Sequence, residues 1–589
     1  MAWRNPRRLT SRSVFMGIHV LFASSIGRLL DCGSIYPTGT NYALWYVVMR
    51  TGIRFLITVA TMHLFLMGCI SVYNASLFGE DLAADALVNR RLLADTIQVP
   101  SEPIRIAGDG DFEELGLPGS GTRDSPYRIE NLLILSNQTC IDVRDTRSWF
   151  EIANCTLTSN THGKSGVRLT NVSHATITEC HVTNMLDGVY LLHSSNCTVL
   201  DCSLVGILER GVRMEIDANI TISGNEIHDG GGDGIFITGR NRGSVVSNNI
   251  VHNNEWHGIF LQAARDIQVF SNVVTDSLFG ILLERSENIF FRDNELRGHS
   301  LGGLLFETSG HNVVTDNRFY GCGLQVHGYP IEDWALEVFN NTVGERPLGF
   351  LQNITDAILD ASEYGQIVLV GSRNVVLQNA VIHDTDHGVR VGYCENVTVT
   401  ASEILDCSRD GIVSQYSSNC TFSYNLLHGT SRAGIYLFQC SRCSVRENTI
   451  YGNLDGVSLS DTDNSTISGN EIVFNERYGI RFGFGSDSNL VFDNRLGWNN
   501  LSNGYDDSEN NRWDTGVIGN AWSDYAGGEC YWIPGPSSSV DRFPRSYTTD
   551  TTQTTSREGF ENLILIASAT IVVSLVAVIV LFVSKKRHS

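Results

Sequence analysis

Cations are scarce in this chain. It carries 42 Lys+Arg against 64 Asp+Glu, a formal net charge of -22, with no basic stripe through its middle, so a nucleic-acid partner is excluded on electrostatic grounds. Methionine is rare too, at 7 residues, and neither a His-x-His nor a Met-x-Met pair occurs, so the clustered soft ligands of a copper-handling site are missing. A Cys-x-x-Cys at 440–443 has no second pair spaced to complete a zinc site. Prolines number only 11 against 56 glycines, and it is the glycines that carry the pattern.

A glycine followed by Ile, Val or Leu stands at Gly166, Gly188, Gly211, Gly234, Gly258, Gly280 and Gly303, and again at Gly388, Gly411, Gly434, Gly456 and Gly479, in steps of 22–24 residues. Self-similarity at that period marks a repeat architecture, in which each coil contacts only its neighbours. Within each period lie short alternating runs such as "ITISGNEI" and "STISGNEI", rich in β-branched residues and too short for helices. The fold predicted is all-β, a right-handed parallel β-helix, in two blocks over 104–326 and 365–534 with an interruption at 327–364 where the period fails.

One asparagine per coil recurs at a fixed phase, at Asn225, Asn272, Asn294, Asn425, Asn448 and Asn470. Stacked at a corner, each amide can bond the turn and the rung above, so these six are expected to be a structural ladder rather than a ligand site. The glycine opening each main strand is expected to supply a corner with unusual dihedrals.

The ends set the expected compartment. Residues 563–584 are an uncharged apolar run long enough to cross a bilayer as a helix, and Lys585, Lys586 and Arg587 follow it. A single-pass anchor (562–584) with a cytoplasmic tail (585–589) and an extracellular ectodomain on the cell membrane follows. A Ser/Thr-rich stalk spans 535–561, and a basic, apolar signal peptide or signal anchor spans 1–78, with a linker at 79–103 and translation starting at Met1 or Met49. Twelve Asn-x-Ser/Thr sequons suit an exported glycoprotein, although a repeat rich in Asn and Thr also generates them by chance. Among the 14 cysteines, Cys180 and Cys202 fall at the ladder phase and Cys197, Cys420 and Cys443 at an inward apolar phase. They read as small buried hydrophobes, with Cys180/Cys202 and Cys420/Cys443 close enough to be bridged.

The segments "IRIAGDGDFEELGLPGSGTRDSPYRIENLLI" (104–134), "NNTVGERPLGFLQN" with "GQIVLVGSRNVVLQNAVI" (340–382) and "GNAWSDYAGG" (519–528) resemble right-handed β-helix proteins with NosD-type repeats, particularly large surface-protein families of archaea. The resemblance implies that "GTRDSPYRI" begins the first coil and "GNAWSDY" caps the last. It identifies the fold more than the function, since relatives include pectate lyases, polygalacturonases, alginate epimerases and the copper-site maturation factor NosD. The paired-aspartate and Gly-His-Gly signatures of polygalacturonases are absent, and so are the ligands for copper maturation.

What local chemistry there is lies in a polar column just before the glycines: Asp187, Arg210, Asp233 and His257, then His387, Asp410 and Asp455. Asp233, His257, His387, Asp410 and Asp455 are the candidate carbohydrate- or ion-binding residues, beside the ordinary reading that Asp-Gly is favourable turn chemistry. "HDGGGDG" (228–234), "EWHG" and "HDTDHG" (383–388) concentrate acid and base groups. No catalytic or metal-ligating residue is assigned, and no cofactor beyond calcium. The expected function is a membrane-anchored extracellular module for carbohydrate recognition or surface structure, with glycans or surface-layer components as partners. The alternative is a polysaccharide-active lyase, hydrolase or epimerase.

Overall fold

The computed structural model describes residues 98–239 and 241–547. The expected signal segment and membrane helix, and most of the stalk, lie outside these. Among the described residues no helix is long and apolar enough to cross a membrane.

Each coil has three faces. In the coil that opens at Gly234, Asp233–Thr238 forms the first face, Val245–Ser247 the second and Ile250–His252 the third, and His257–Gln262 begins the next coil. Pairing along each face is parallel, and residues stack on their equivalents, as in Ile235 on Ile259 on Ile281 on Leu304. The alternation read from the sequence is the reason: inward Ile, Val and Leu fill the core, and their neighbours face out. A short helix, Asp111–Glu114, closes one end by stacking Phe112 on Tyr127 at 4.7 Å. "GTRDSPYRI" runs into the first second-face strand, Tyr127–Glu130, but Val99–Ser101 and Ile104–Ile106 have by then opened the third and first faces. Trp522 of "GNAWSDY", stacked on Tyr531 at 4.0 Å, is followed on its own face by one more strand, Arg545–Ser546.

The expected asparagine ladder is present and longer than the six residues named. Asn225, Asn249, Asn272, Asn294, Asn317 and Asn341 stack without a break in block 1, each Nδ2 donating to the next Oδ1 at 2.9–3.0 Å. Asn425, Asn448, Asn470, Asn494 and Asn520 do the same in block 2. The same Oδ1 also accepts the main-chain N–H of the preceding ladder residue, so a buried amide that the strands leave unpaired is satisfied.

The glycines require correction. Gly234 and Gly258 do not adopt left-handed dihedrals; that region goes to corner residues such as Asn196 (φ 51°) and Asn219 (φ 53°), both of them sequon asparagines. Glycine is needed because a Cβ at Gly234 would lie 2.6 Å from the carbonyl oxygen of Gly258 and 2.4 Å from Val251 Cγ1. Neighbouring rungs leave no room for a methyl group.

The stretch 327–364 is not empty of repeat. After a hairpin of Thr342–Val343 with Arg346–Gln352, the chain re-enters the helix in a shortened coil, with Leu348 over Gln366 and Thr355 over Arg373, a step of 18. Scanning for 22–24 misses it. At this joint Gln366–Val370 is buried along its whole length: Val368 and Val370 enter the core of block 1, Ile367 and Leu369 that of block 2. The two blocks thus have separate cores that share one strand.

All twelve described cysteines are free, and every one but Cys530 is buried. Cys180 and Cys202, at the ladder phase, donate to the carbonyls of Ile152 and Ile177 instead of bridging.

Candidate functional site

The polar column lies on the outer edge of the first face, one residue before each glycine, where register places Asp187 beside Arg210 and Arg210 beside Asp233. Its acidic and histidine members are buried, and Arg210 partly so, rather than exposed turn caps. His257 Nδ1 is 2.6 Å from Asp233 Oδ1. Because a carboxylate only accepts, Nδ1 is the donor, and in the neutral ring Nε2 is the nitrogen that carries the lone pair. Arg210 approaches Asp233 Oδ2 at 3.8 Å and lies over the Phe236 ring at 4.3 Å. Asp187 faces Arg213 at 3.7 Å, yet burial still pushes its carboxyl up to about 6, and its Oδ1 has no hydrogen-bond partner.

Beside the column runs the outward row of the same strands, with Arg168, Tyr190, Arg213, Phe236 and Phe260 on successive rungs. The Arg213 guanidinium lies 4.6 Å and that of Arg168 5.2 Å from the Tyr190 ring centre, so cations and aromatic faces alternate. At the edge, Trp256 is 58% exposed and sits edge-on to His257.

In block 2 the column differs. Asp455 accepts from the Nε and Nη2 edge of Arg477, with Nη2 donating to Oδ2 at 2.5 Å and Nε to Oδ1 at 3.1 Å. His387 and Asp410 are neighbours at 3.5 Å but do not form the bond seen in block 1, because His387 Nδ1 faces the main-chain N–H of Asp410 at 3.4 Å. Asp410 instead accepts from the N–H of Ala433 and lies 3.6 Å from Arg432. Burial raises the Asp410 carboxyl above its ordinary range and, with Arg390, Arg409 and Arg432 nearby, holds the His387 imidazole well below its own.

The structure therefore joins Asp233 to His257 and brings His387 near Asp410, while Asp455 stands apart from both pairs. It also reveals a buried polar knot at the joint that sequence reading missed. Gln325 and Gln366 both donate to Asp386, at 2.9 Å each, and Arg390 donates to the Val326 carbonyl and to Gln415. Burial pulls Arg390 down to about 10. His387 Nε2, Arg390 Nε and Gln325 Oε1 remain buried without partners. The only sequence signal was the acid-rich "HDTDHG", since the glutamines come from across the shortened coil. A groove of about 660 Å³, lined by Tyr320, Arg346, His383 and Asp384 among others, lies along the third face and includes none of the column residues.

Residues 351–527 match the family model described as "Periplasmic copper-binding protein (NosD)" and residues 165–319 the one described as "Right handed beta helix region". Together with the stacked coils, these matches make the chain a right-handed β-helix repeat protein. A search of the curated proteins finds no match. Among solved structures the chain is similar to the A-module of the mannuronan C-5 epimerase AlgE6 of Azotobacter vinelandii, at 13% identity over 75% of this chain and 100% of that one, TM-score 0.24. It is similar also to the catalytic domain of a GH87 alpha-1,3-glucanase, at 12% identity over 57% of this chain and 61% of that one, TM-score 0.29. A third is the family 28 exopolygalacturonase of Yersinia enterocolitica, at 10% identity over 53% and 70%, TM-score 0.26. The chain thus spans less than two thirds of the glucanase domain, and likenesses this distant say nothing of activity.

Proposed function

We propose that this chain presents its β-helix outside the cell, held by the apolar segment 563–584, and binds glycan along the outer first face of block 1 without turning it over. The observation that carries this reading is the pairing of the column. Glycoside hydrolysis needs two carboxylates about 5–10 Å apart, one of them free to give a proton and the other to attack or to activate water. Here Asp233 is committed to His257, Asp410 to the Ala433 amide and Arg432, and Asp455 to Arg477, which leaves Asp187 as the one column carboxylate with an unpartnered oxygen and no second column carboxylate free to work with it. What the face does offer is recognition chemistry. The exposed indole of Trp256 gives a plane for a sugar ring, and Arg168 gives donors that favour acidic sugars.

A second reading keeps one observation in its favour: the 2.6 Å Asp233–His257 contact leaves Nε2 as a base, as proton abstraction by a lyase or epimerase would require. A glycan array probed with the full-length chain, alongside assays for new reducing ends and unsaturated uronides, separates the two. Recognition predicts retention of acidic glycans that is lost in Trp256→Ala, with no turnover. Turnover abolished by His257→Ala would replace it with the enzyme reading, and neither retention nor turnover of any glycan would sink both.

A further inference from the structure

On the outer side of the third face, away from the column, His228 lies directly over His252 in the register of the two strands. Their imidazoles stack with ring centres 4.6 Å apart and planes 5° apart. Glu226 stands two residues before His228 in Glu226–His228, so the alternation of a strand puts it on the same outer side. One ligand atom from each of the three lies within 4.8 Å of the other two, and all three side chains are half-buried.

The surroundings orient one of these rings. Asp229 Oδ2 is 2.8 Å from His228 Nδ1, and Asn253 Nδ2 steadies the other carboxylate oxygen at 3.3 Å. The carboxylate makes Nδ1 the donor and leaves the Nε2 lone pair for another partner, which is the arrangement that orients metal-ligating histidines in general. Elsewhere the same outward row carries Thr275, Arg297 and Tyr320, side chains that stack as ordinary surface packing. At His228 and His252 alone in this row do two imidazoles meet a carboxylate.

We propose that Glu226, His228 and His252 form a binding site for one divalent first-row transition cation of the class that imidazole favours, namely zinc, nickel or copper(II). Calcium and magnesium take oxygen ligands, so two nitrogen donors select against them. Zinc–nitrogen bonds are about 2.0–2.1 Å, which puts two nitrogens on one ion about 3–3.5 Å apart. Donors already within 4.8 Å reach that separation when the two rings tilt out of their stack. Three protein ligands leave a coordination position for water or for a group on a bound partner.

The test uses the full-length chain, stripped with chelator and dialysed against Zn²⁺, with Co²⁺ in parallel so that its visible absorption reports nitrogen ligation. One equivalent is expected. That step should vanish in His228→Ala and in His252→Ala, survive in a control at the exposed His193→Ala, and weaken by about tenfold in Asp229→Asn, which removes only the orienting carboxylate. Circular dichroism and melting of each metal-free variant should match the parent; if an alanine variant misfolds, His228→Gln and His252→Gln replace it. Binding that persists unchanged in both histidine variants, or a parent chain that takes up neither ion, overturns the proposal.

Discussion

Asn272 offers the sharpest test of what holds the coils in register. Its Oδ1 accepts the main-chain N–H of Asn249 at 3.0 Å and the side-chain amide of Asn249 at 2.9 Å, while its Nδ2 donates to the Val246 carbonyl at 2.9 Å. Asn272→Ala orphans the Asn249 N–H and removes a donor from the Val246 carbonyl. At about 1–3 kcal/mol for each buried group left unmade, the loss should be about 2–6 kcal/mol. Asn272→Ser separates acceptor from amide. Ser402 occupies this phase in block 2, where its Oγ accepts the Ala380 N–H at 3.1 Å, so a hydroxyl at 272 should keep the Asn249 bond and recover about 1–3 kcal/mol. Because a solenoid loses stability coil by coil, global melting is a blunt readout. Hydrogen exchange should show amides from 245 to 275 opening faster in the alanine variant than in the serine variant, with distant coils unchanged. Equal effects of Ala and Ser, or a loss below about 1 kcal/mol, would refute the claim that the ladder's acceptor oxygen carries the stabilisation.

Asp217 should make stability depend on pH in a defined direction. Burial pushes its carboxyl up to about 7 from 3.8, despite N–H donors from Ser194 and Glu215, so the folded chain holds a proton the unfolded chain has lost. Its contribution is therefore complete below about pH 4, falls as pH rises to about 7 and is flat beyond; Asp217→Asn should gain on the parent by up to about 4 kcal/mol across that window in denaturant titrations, and parallel curves would disprove it. The buried thiols should be inert, since burial pushes Cys140 and Cys394 up to about 12 and, among the described cysteines, only Cys530 is not buried. Mass spectrometry after brief alkylation of the native chain should find Cys530 alone among the described cysteines modified, and labelling of Cys180 or Cys420 before denaturant is added would count against the packing described.

Period and phase made the scaffold legible. Asn225, Asn272 and Asn294 could be placed in one stack because a fixed spacing puts one residue per rung over the last. The glycines were found by the same means but explained wrongly, because a spacing records that a side chain is excluded and not which atom excludes it. Asp233 and His257 were legible as neighbours for being 24 residues apart at one phase, whereas the partner of Asp455, Arg477, sits one position off the column and could not be paired by phase. The joint was the least legible part. Its polar contacts span 42 and 61 residues, from Leu324 to Gln366 and from Gln325 to Asp386, across a coil of different length. The His228–His252 pair lay in plain view at the repeat spacing, but only the outward direction of both strands turns that spacing into a stack with Glu226.

The strand shared by the two cores also bears on how such a chain can lengthen by inheritance. Duplicating one coil of 22–24 residues within either block adds a rung and leaves each pair at the joint as it was. An insertion of one residue within Gln366–Val370 would turn the strand over, sending Val368 and Val370 away from the core they fill and Ile367 and Leu369 into it. Descendants of this sequence should therefore differ in how many coils each block holds and agree on the 18-residue step that joins them.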